Sequence, residues 1–161
     1  MKSTLIRRIS ITLTALLMVA GLSVYSPAPA SAASFGACVV TLGGDYSHIS
    51  GTPPRAVQGH GWWKSSTGSC AGWRLRVRVL VQVETNILGY VIWGTINTGT
   101  YTWVKPGGGS GNRATGRYTC SNATSSNTFR TVVQGELQRS DGIWVAAPGA
   151  IVTATTVLKC G

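Results

Sequence analysis

Between Trp73 and Glu84 the chain alternates with a strict period of two. Trp73, Leu75, Val77, Val79, Val81 and Val83 fall on one side, and Arg74, Arg76, Arg78, Leu80, Gln82 and Glu84 on the other. A helix would scatter those valines around its circumference, whereas a strand gathers them on one face. β-Branched side chains also suit a pleated, half-buried surface, so the segment predicts an amphipathic strand. A shorter alternation sets Phe129, Thr131, Val133, Gly135 and Leu137 against Arg130, Gln134, Glu136 and Gln138, and predicts a second. Cys38 to Leu42, Ala56 to Trp63, Gly89 to Asn97, Arg113 to Cys120 and Ile151 to Cys160 complete a set of seven, each bounded by Gly, Pro, Asn or Ser. With no helical periodicity beyond the N-terminal segment, the expectation is an all-β chain. It takes the form of a single antiparallel β-sandwich, immunoglobulin-like, with a closed barrel as the alternative. Tyr118, two residues before Cys120, fits the tyrosine corner of that fold, although its spacing of cysteine, tryptophan and cysteine is absent. The Gly-rich run from Pro106 to Asn112 is a turn within the domain.

Lys2, Arg7 and Arg8 precede an apolar stretch from Ile9 to Val24 and small residues up to Ala33, the layout of a secretory signal peptide. Ser10, Thr12, Thr14 and Ser23 interrupt the apolar run, which falls short of the roughly 20 residues a membrane span needs. Residues 1–33 are therefore expected to be removed, with cleavage after Ala33 favoured over Ala32, and no transmembrane segment is expected. The Arg7-Arg8 pair is not followed by a complete twin-arginine motif, so the general secretory route is expected. Residues 34–161 then form one secreted domain.

All four cysteines, Cys38, Cys70, Cys120 and Cys160, lie in that domain, and an even count in an exported chain predicts two disulfides. Strand parity suggests the pairing. If each connection reverses the chain, Cys38 and Cys70 meet at one end of the fold and Cys120 and Cys160 at the other. Cys70 with Cys120, the pairing an immunoglobulin analogy suggests, would join opposite ends. His48 and His60 are far apart in sequence from each other and from every cysteine, so neither a metal site nor a cofactor is expected.

The 161-residue chain carries a formal net charge of +10, and the domain keeps eleven bases against four acids. Such a surface can meet anionic cell-wall polymers or acidic glycans, and would bind nucleic acid only non-specifically. Arg74, Arg76 and Arg78 recur at roughly 7 Å along one strand face, a stripe of like charges that a purely structural strand would gain from replacing. Arg113 and Arg117 share a face of another strand, and together with Arg130 they would extend the stripe if those strands lie in one sheet. The six tryptophans, Trp62, Trp63, Trp73, Trp93, Trp103 and Trp144, could offer stacking surfaces for sugar rings, with Trp62 and Trp103 the chosen candidates. Adjacent Trp62 and Trp63 point to opposite faces of a strand, so at most one is core, and Trp73 shares its face with the buried valines.

Catalytic candidates are few. Glu84 and Glu136 read as surface charges rather than a glycosidase pair. A triad of Asp45, His48 and Ser47 or Ser50 has neither a nucleophile elbow nor an oxyanion-hole signature. The leading expectation is thus a non-enzymatic secreted protein binding an anionic or glycan cell-envelope partner through Arg74, Arg76, Arg78, Arg113, Arg117, Trp62 and Trp103. Its alternatives are an inhibitor of an extracellular hydrolase, reacting through the loop from Thr98 to Asn112, and a small hydrolase using Asp45, Glu84 or Glu136.

The chain carries Cys38, His48-Ile-Ser50, Gly59-His-Gly-Trp-Trp63 before Cys70, Arg113-Ala-Thr-Gly-Arg-Tyr-Thr-Cys120, Phe129-Arg-Thr-Val-Val133 and the closing Lys159-Cys160. That set resembles a group of small secreted four-cysteine proteins of actinobacteria without an assigned activity. The resemblance spans essentially all of residues 34–161 and implies export and a β fold.

Overall fold

A computed structural model describes residues 32–35, 38–68, 70, 73–105, 107–146 and 150–160. Apart from Ala32 and Ala33, the expected signal peptide lies outside them. The described residues are all-β, without helix, and every strand pairing is antiparallel. The strands are β1 (Ala32–Phe35), β2 (Cys38–Gly44), β3 (His48–Ile49), β4 (Ala56–Gly68), β5 (Arg74–Ile87) and β6 (Tyr90–Thr98). They continue with β7 (Thr102–Trp103), β8 (Ala114–Thr119), β9 (Ser126–Gln138), β10 (Trp144–Ala146), β11 (Ile151–Val152) and β12 (Thr156–Lys159). A five-stranded sheet runs β1-β2-β4-β3, with β8 also on β4. A seven-stranded sheet runs β10-β9-β5-β6, with β11 and β12 also on β9 and β7 on β5. The larger sheet curls into a half-barrel.

All seven expected segments are strands. Twelve appear because β1, β3, β7 and β10 are only two to four residues long, too short for alternation to register, and because the last expected strand breaks into β11 and β12. At that break the Thr153 amide still bonds the Thr131 carbonyl at 2.9 Å, so the chain stays tied to β9. A cut after Ala33 would leave Ser34 and Phe35 of β1.

The alternation in β5 and β9 builds the core. Leu75, Val77, Val79 and Val81 are buried together with Phe129, Thr131, Val133 and Leu137, against Val40 and Leu42 of β2 and Val57 of β4. Each such valine contributes roughly 1.5–3 kcal/mol relative to an exposed one. Close approach of the sheets depends on Gly61, where a Cβ would stand 2.6 Å from Val133 Cγ1 and 2.9 Å from Val79 Cγ2. One polar link lies within the core, a 3.0 Å bond between the buried hydroxyls of Ser47 and Thr131. The long β5–β6 hairpin turns at Leu88 and Gly89, both with positive φ, and exposes Ile87, Leu88, Tyr90 and Val91 at its tip.

Cys38 bonds Cys70 and Cys120 bonds Cys160, each with Cα atoms 4.9 Å apart. The pairing follows from strand direction. β2 and β8 both run antiparallel to β4, and β12 runs antiparallel to β9, so each cysteine arrives at its partner's end of the fold. Cys70 with Cys120 is excluded. The bridges span 32 and 40 residues, which in a chain-entropy account contributes about 4 kcal/mol each. Such bonds persist in oxidising compartments. Among the described residues no helix is long and apolar enough to cross a membrane.

Candidate functional site

The period of two that buries the β5 valines turns Arg74, Arg76 and Arg78 to the outside of the larger sheet. Across β9 they face Gln138, Glu136 and Gln134. On the other side Trp103 of β7 stands opposite Arg76, and at the β9 edge Trp144 of β10 stands opposite Gln138. The Arg76 guanidinium reaches Glu136 Oε2 at 2.6 Å through Nη2 and 2.8 Å through Nε. It lies 3.8 Å from the centre of the Trp144 ring and 4.7 Å from that of Tyr101. Arg78 donates to Gln134 Oε1 at 2.7 Å and also lies over the Tyr101 ring, 4.6 Å from its centre. Arg74 stands 6.0 Å from the Trp103 ring, and Trp103 and Trp144 contact each other at 5.2 Å.

The three arginines are not equally open to solvent. Arg74 is exposed, but Arg76 and Arg78 are half-buried between aromatic faces. Ring quadrupoles and one carboxylate offset the mutual repulsion of the cations. Burial would raise the Glu136 carboxyl, but hydrogen bonds from Arg76 and Tyr101 and the charges of Arg76 and Arg78 outweigh it and hold the carboxyl below its ordinary pKa. The Tyr101 phenol is pushed the other way, first by burial and then by its bond to Glu136. A cleft of about 200 Å³ opens beside this group, lined by Arg78, Tyr101, Gln134, Glu136, Ala146 and Ala150. Further along the same face Arg130 donates to Gln82 at 2.7 Å and lies 4.2 Å over Trp93.

Sequence reasoning chose Trp103 here, which is 53% exposed, but left Trp144 unassigned and missed Tyr101. Both come from segments without alternation, brought over β5 and β9 by the short strands β7 and β10. The stretch from Thr98 to Asn112 is not one free loop, since it contains β7 and the Gly107 amide is bonded to the Trp63 carbonyl at 2.9 Å.

The remaining candidates do not join this face. β8 pairs with β4, so Arg117 within it belongs to the smaller sheet, Arg113 stands just before its first residue, and the stripe is not extended by them. Arg117 is committed to the loop before β4, with Nη1 on Ser50 Oγ at 3.2 Å and Nη2 on the Thr52 and Pro54 carbonyls at 2.8 and 2.6 Å. Trp62 is also on the smaller sheet, half-buried, with Gly108 packed so closely that a Cβ there would meet its ring at 2.5 Å. Of the adjacent pair, Trp63 packs on the core and donates from Nε1 to the Val104 carbonyl at 2.8 Å. Trp73 packs on the same core.

The outer face of the smaller sheet carries a different group. β3 places His48 across from Gln58, and His60 follows Gln58 by two positions on the same face of β4. The two imidazoles are 5.1 Å apart, despite their separation in sequence. Asp45, just after β2, accepts from the His60 amide at 2.6 Å and holds His60 Nδ1 at 2.7 Å. Burial would raise the Asp45 carboxyl, but the two bonds from His60, aided by the charges of His60 and His48, lower it overall. Neither serine of the expected triad is held for these groups: Ser47 is buried on Thr131, and Ser50 is engaged with Thr52 and Arg117. Glu84 and Glu136 are equally unsuited to act on one bond. Glu136 stands opposite Arg76, eight positions along β5 from Glu84, or roughly 25 Å in an extended strand, where glycosidases need about 5 to 10 Å.

Comparison of the chain with models of known protein families, with curated proteins and with solved structures finds no match.

Proposed function

We propose that this is a secreted, non-enzymatic binding protein. Its larger sheet, part of an immunoglobulin-like sandwich, would hold an anionic polymer or acidic glycan of the cell envelope, after removal of residues 1–33. The observation that supports the reading best is the juxtaposition of Arg74, Arg76 and Arg78 with Tyr101, Trp103 and Trp144 on one outer face. Guanidinium planes pre-set by aromatic stacking keep their remaining N–H donors in fixed directions. That suits phosphate or carboxylate groups, which accept two parallel hydrogen bonds. An exposed indole beside them offers a flat apolar surface for a sugar ring. Glu136 occupies one side of Arg76, which leaves Arg74 and Arg78 as the main free charge.

Pull-down on teichoic acid, peptidoglycan and neutral insoluble glycans tests the reading. Retention on the anionic polymers, reduced by Trp103→Ala and abolished in high salt, is the expected result. Equal retention on neutral glycans, or none on any, would refute it.

A further inference from the structure

On the opposite side of the molecule, we infer that Asp45, His48 and His60 form a binding site for a divalent transition-metal ion of the zinc or copper class. One donor atom from each residue lies within 4.8 Å of the others. Two imidazoles and one carboxylate make a ligand set of intermediate softness, which favours zinc, nickel or copper over calcium and magnesium, whose sites are built from oxygen.

The surroundings of the two histidines match what metal-binding imidazoles need. His48 Nδ1 faces the Tyr46 carbonyl at 3.1 Å, so its Nδ1–H donates to that oxygen, while His60 Nδ1 and Asp45 Oδ2 stand 2.7 Å apart, close enough to share one ion. In His48 that fixes the tautomer and leaves a lone pair on Nε2, the state in which imidazole binds a metal. Gln58 lies beside them with its side-chain amide 3.2 Å from His48 Nε2. Rotated end for end, the same amide would present its oxygen to the ion.

The framework is rigid where it has to be. His60 is 6% exposed on the central strand of its sheet, and a second bond from its backbone amide fixes Asp45. His48 is more open, with Tyr46 edge-on at 6.4 Å. Asp45 and Tyr46 also line a cleft of about 530 Å³, together with Leu42, Gly43, Lys64 and Thr153. Three protein donors leave at least one coordination position toward solvent, unlike the closed four-ligand shell of a purely structural zinc site. The four cysteines are in disulfides and offer no competing thiolate.

Calorimetric titration of untagged protein with Zn²⁺, in a non-chelating buffer, reads the stoichiometry. Electron paramagnetic resonance with one equivalent of Cu²⁺ reads the ligand atoms. The expected result is one ion per chain with nitrogen coupling from two imidazoles, and affinity at least tenfold weaker in His48→Ala and in Asp45→Asn. His60→Ala removes a buried side chain and is compared only if its circular dichroism is unchanged. His48 is half-exposed, so His48→Ala and the milder His48→Gln keep the test valid. Absence of stoichiometric binding, or binding undiminished in both His48 variants, would overturn the site.

Discussion

The two outer faces both carry arginines, yet they hold them differently. On the smaller sheet Arg117 spends its donors on Ser50, Thr52 and Pro54, three acceptors of its own chain, and so fixes the loop before β4. On the larger sheet Arg76 and Arg78 each give donors to one side chain of β9, Glu136 and Gln134, but their planes and that of Arg74 lie against rings. A ring orients a guanidinium without consuming its N–H groups, whereas a carbonyl consumes one for each bond. Residue type alone therefore does not mark a binding cation; the partner on its face does.

Arg117→Ala should show the largest effect on stability. Losing charge-assisted bonds to part of a fixed loop is expected to cost about 2–3 kcal/mol in denaturant unfolding, with retention on an anionic matrix nearly unchanged. If stability holds and retention falls instead, Arg117 belongs with the binding arginines and the contrast collapses. Arg76→Ala should cost less, about 1–2 kcal/mol, from a partly exposed ion pair and one close stacking contact.

Glu136 sharpens the same contrast through pH. Its carboxyl titrates below the ordinary 4.5 in the folded state. Its contribution is fully present above the unfolded value and is lost as pH falls through the folded one. Unfolding curves of the wild type and Glu136→Gln should accordingly be separated by under about 1 kcal/mol at neutral pH and converge in acid. A gap that persists to the lowest pH at which the fold survives would mean that the charge of Glu136 is not what matters. The smallest effect is expected for Glu84→Gln, within about 0.5 kcal/mol, because Glu84 stands across from Trp93 rather than a cation.

Much of this fold was legible in the chain. The alternation in Trp73–Glu84 and Phe129–Gln138 placed the two central strands and their inward faces, because period two is a local property. Parity placed both disulfides, because antiparallel pairing makes direction countable. What could not be read was which strands share a sheet. The separation of Arg113 and Arg117 from Arg74 depends on β8 choosing β4, a pairing between segments distant in sequence. The same kind of information hid the histidine cluster. His48 sits in a two-residue strand with no pattern of its own, and only its pairing to β4 brings it to His60. The matching spacing of Gln58 and His60 on one strand face was the one local sign. Tyr101 was missed and Trp144 left unassigned for the same reason, since each reaches the arginines through a strand of two or three residues.

The central claim is that Arg74, Arg76 and Arg78 act together as an anion-binding face, and the salt dependence of binding tests it most directly. Affinity for teichoic acid would be measured from low to physiological ionic strength for the wild type, for the triple change to Thr and for the triple change to Lys. Each contact to a phosphate adds to the slope of log affinity against log salt. The Thr variant should bind at least tenfold more weakly with a slope lower by two to three contacts' worth. The Lys variant should keep most of the slope but lose affinity, because it retains charge without the stacked plane. A Thr variant with unchanged affinity and slope, at intact circular dichroism, would contradict the account.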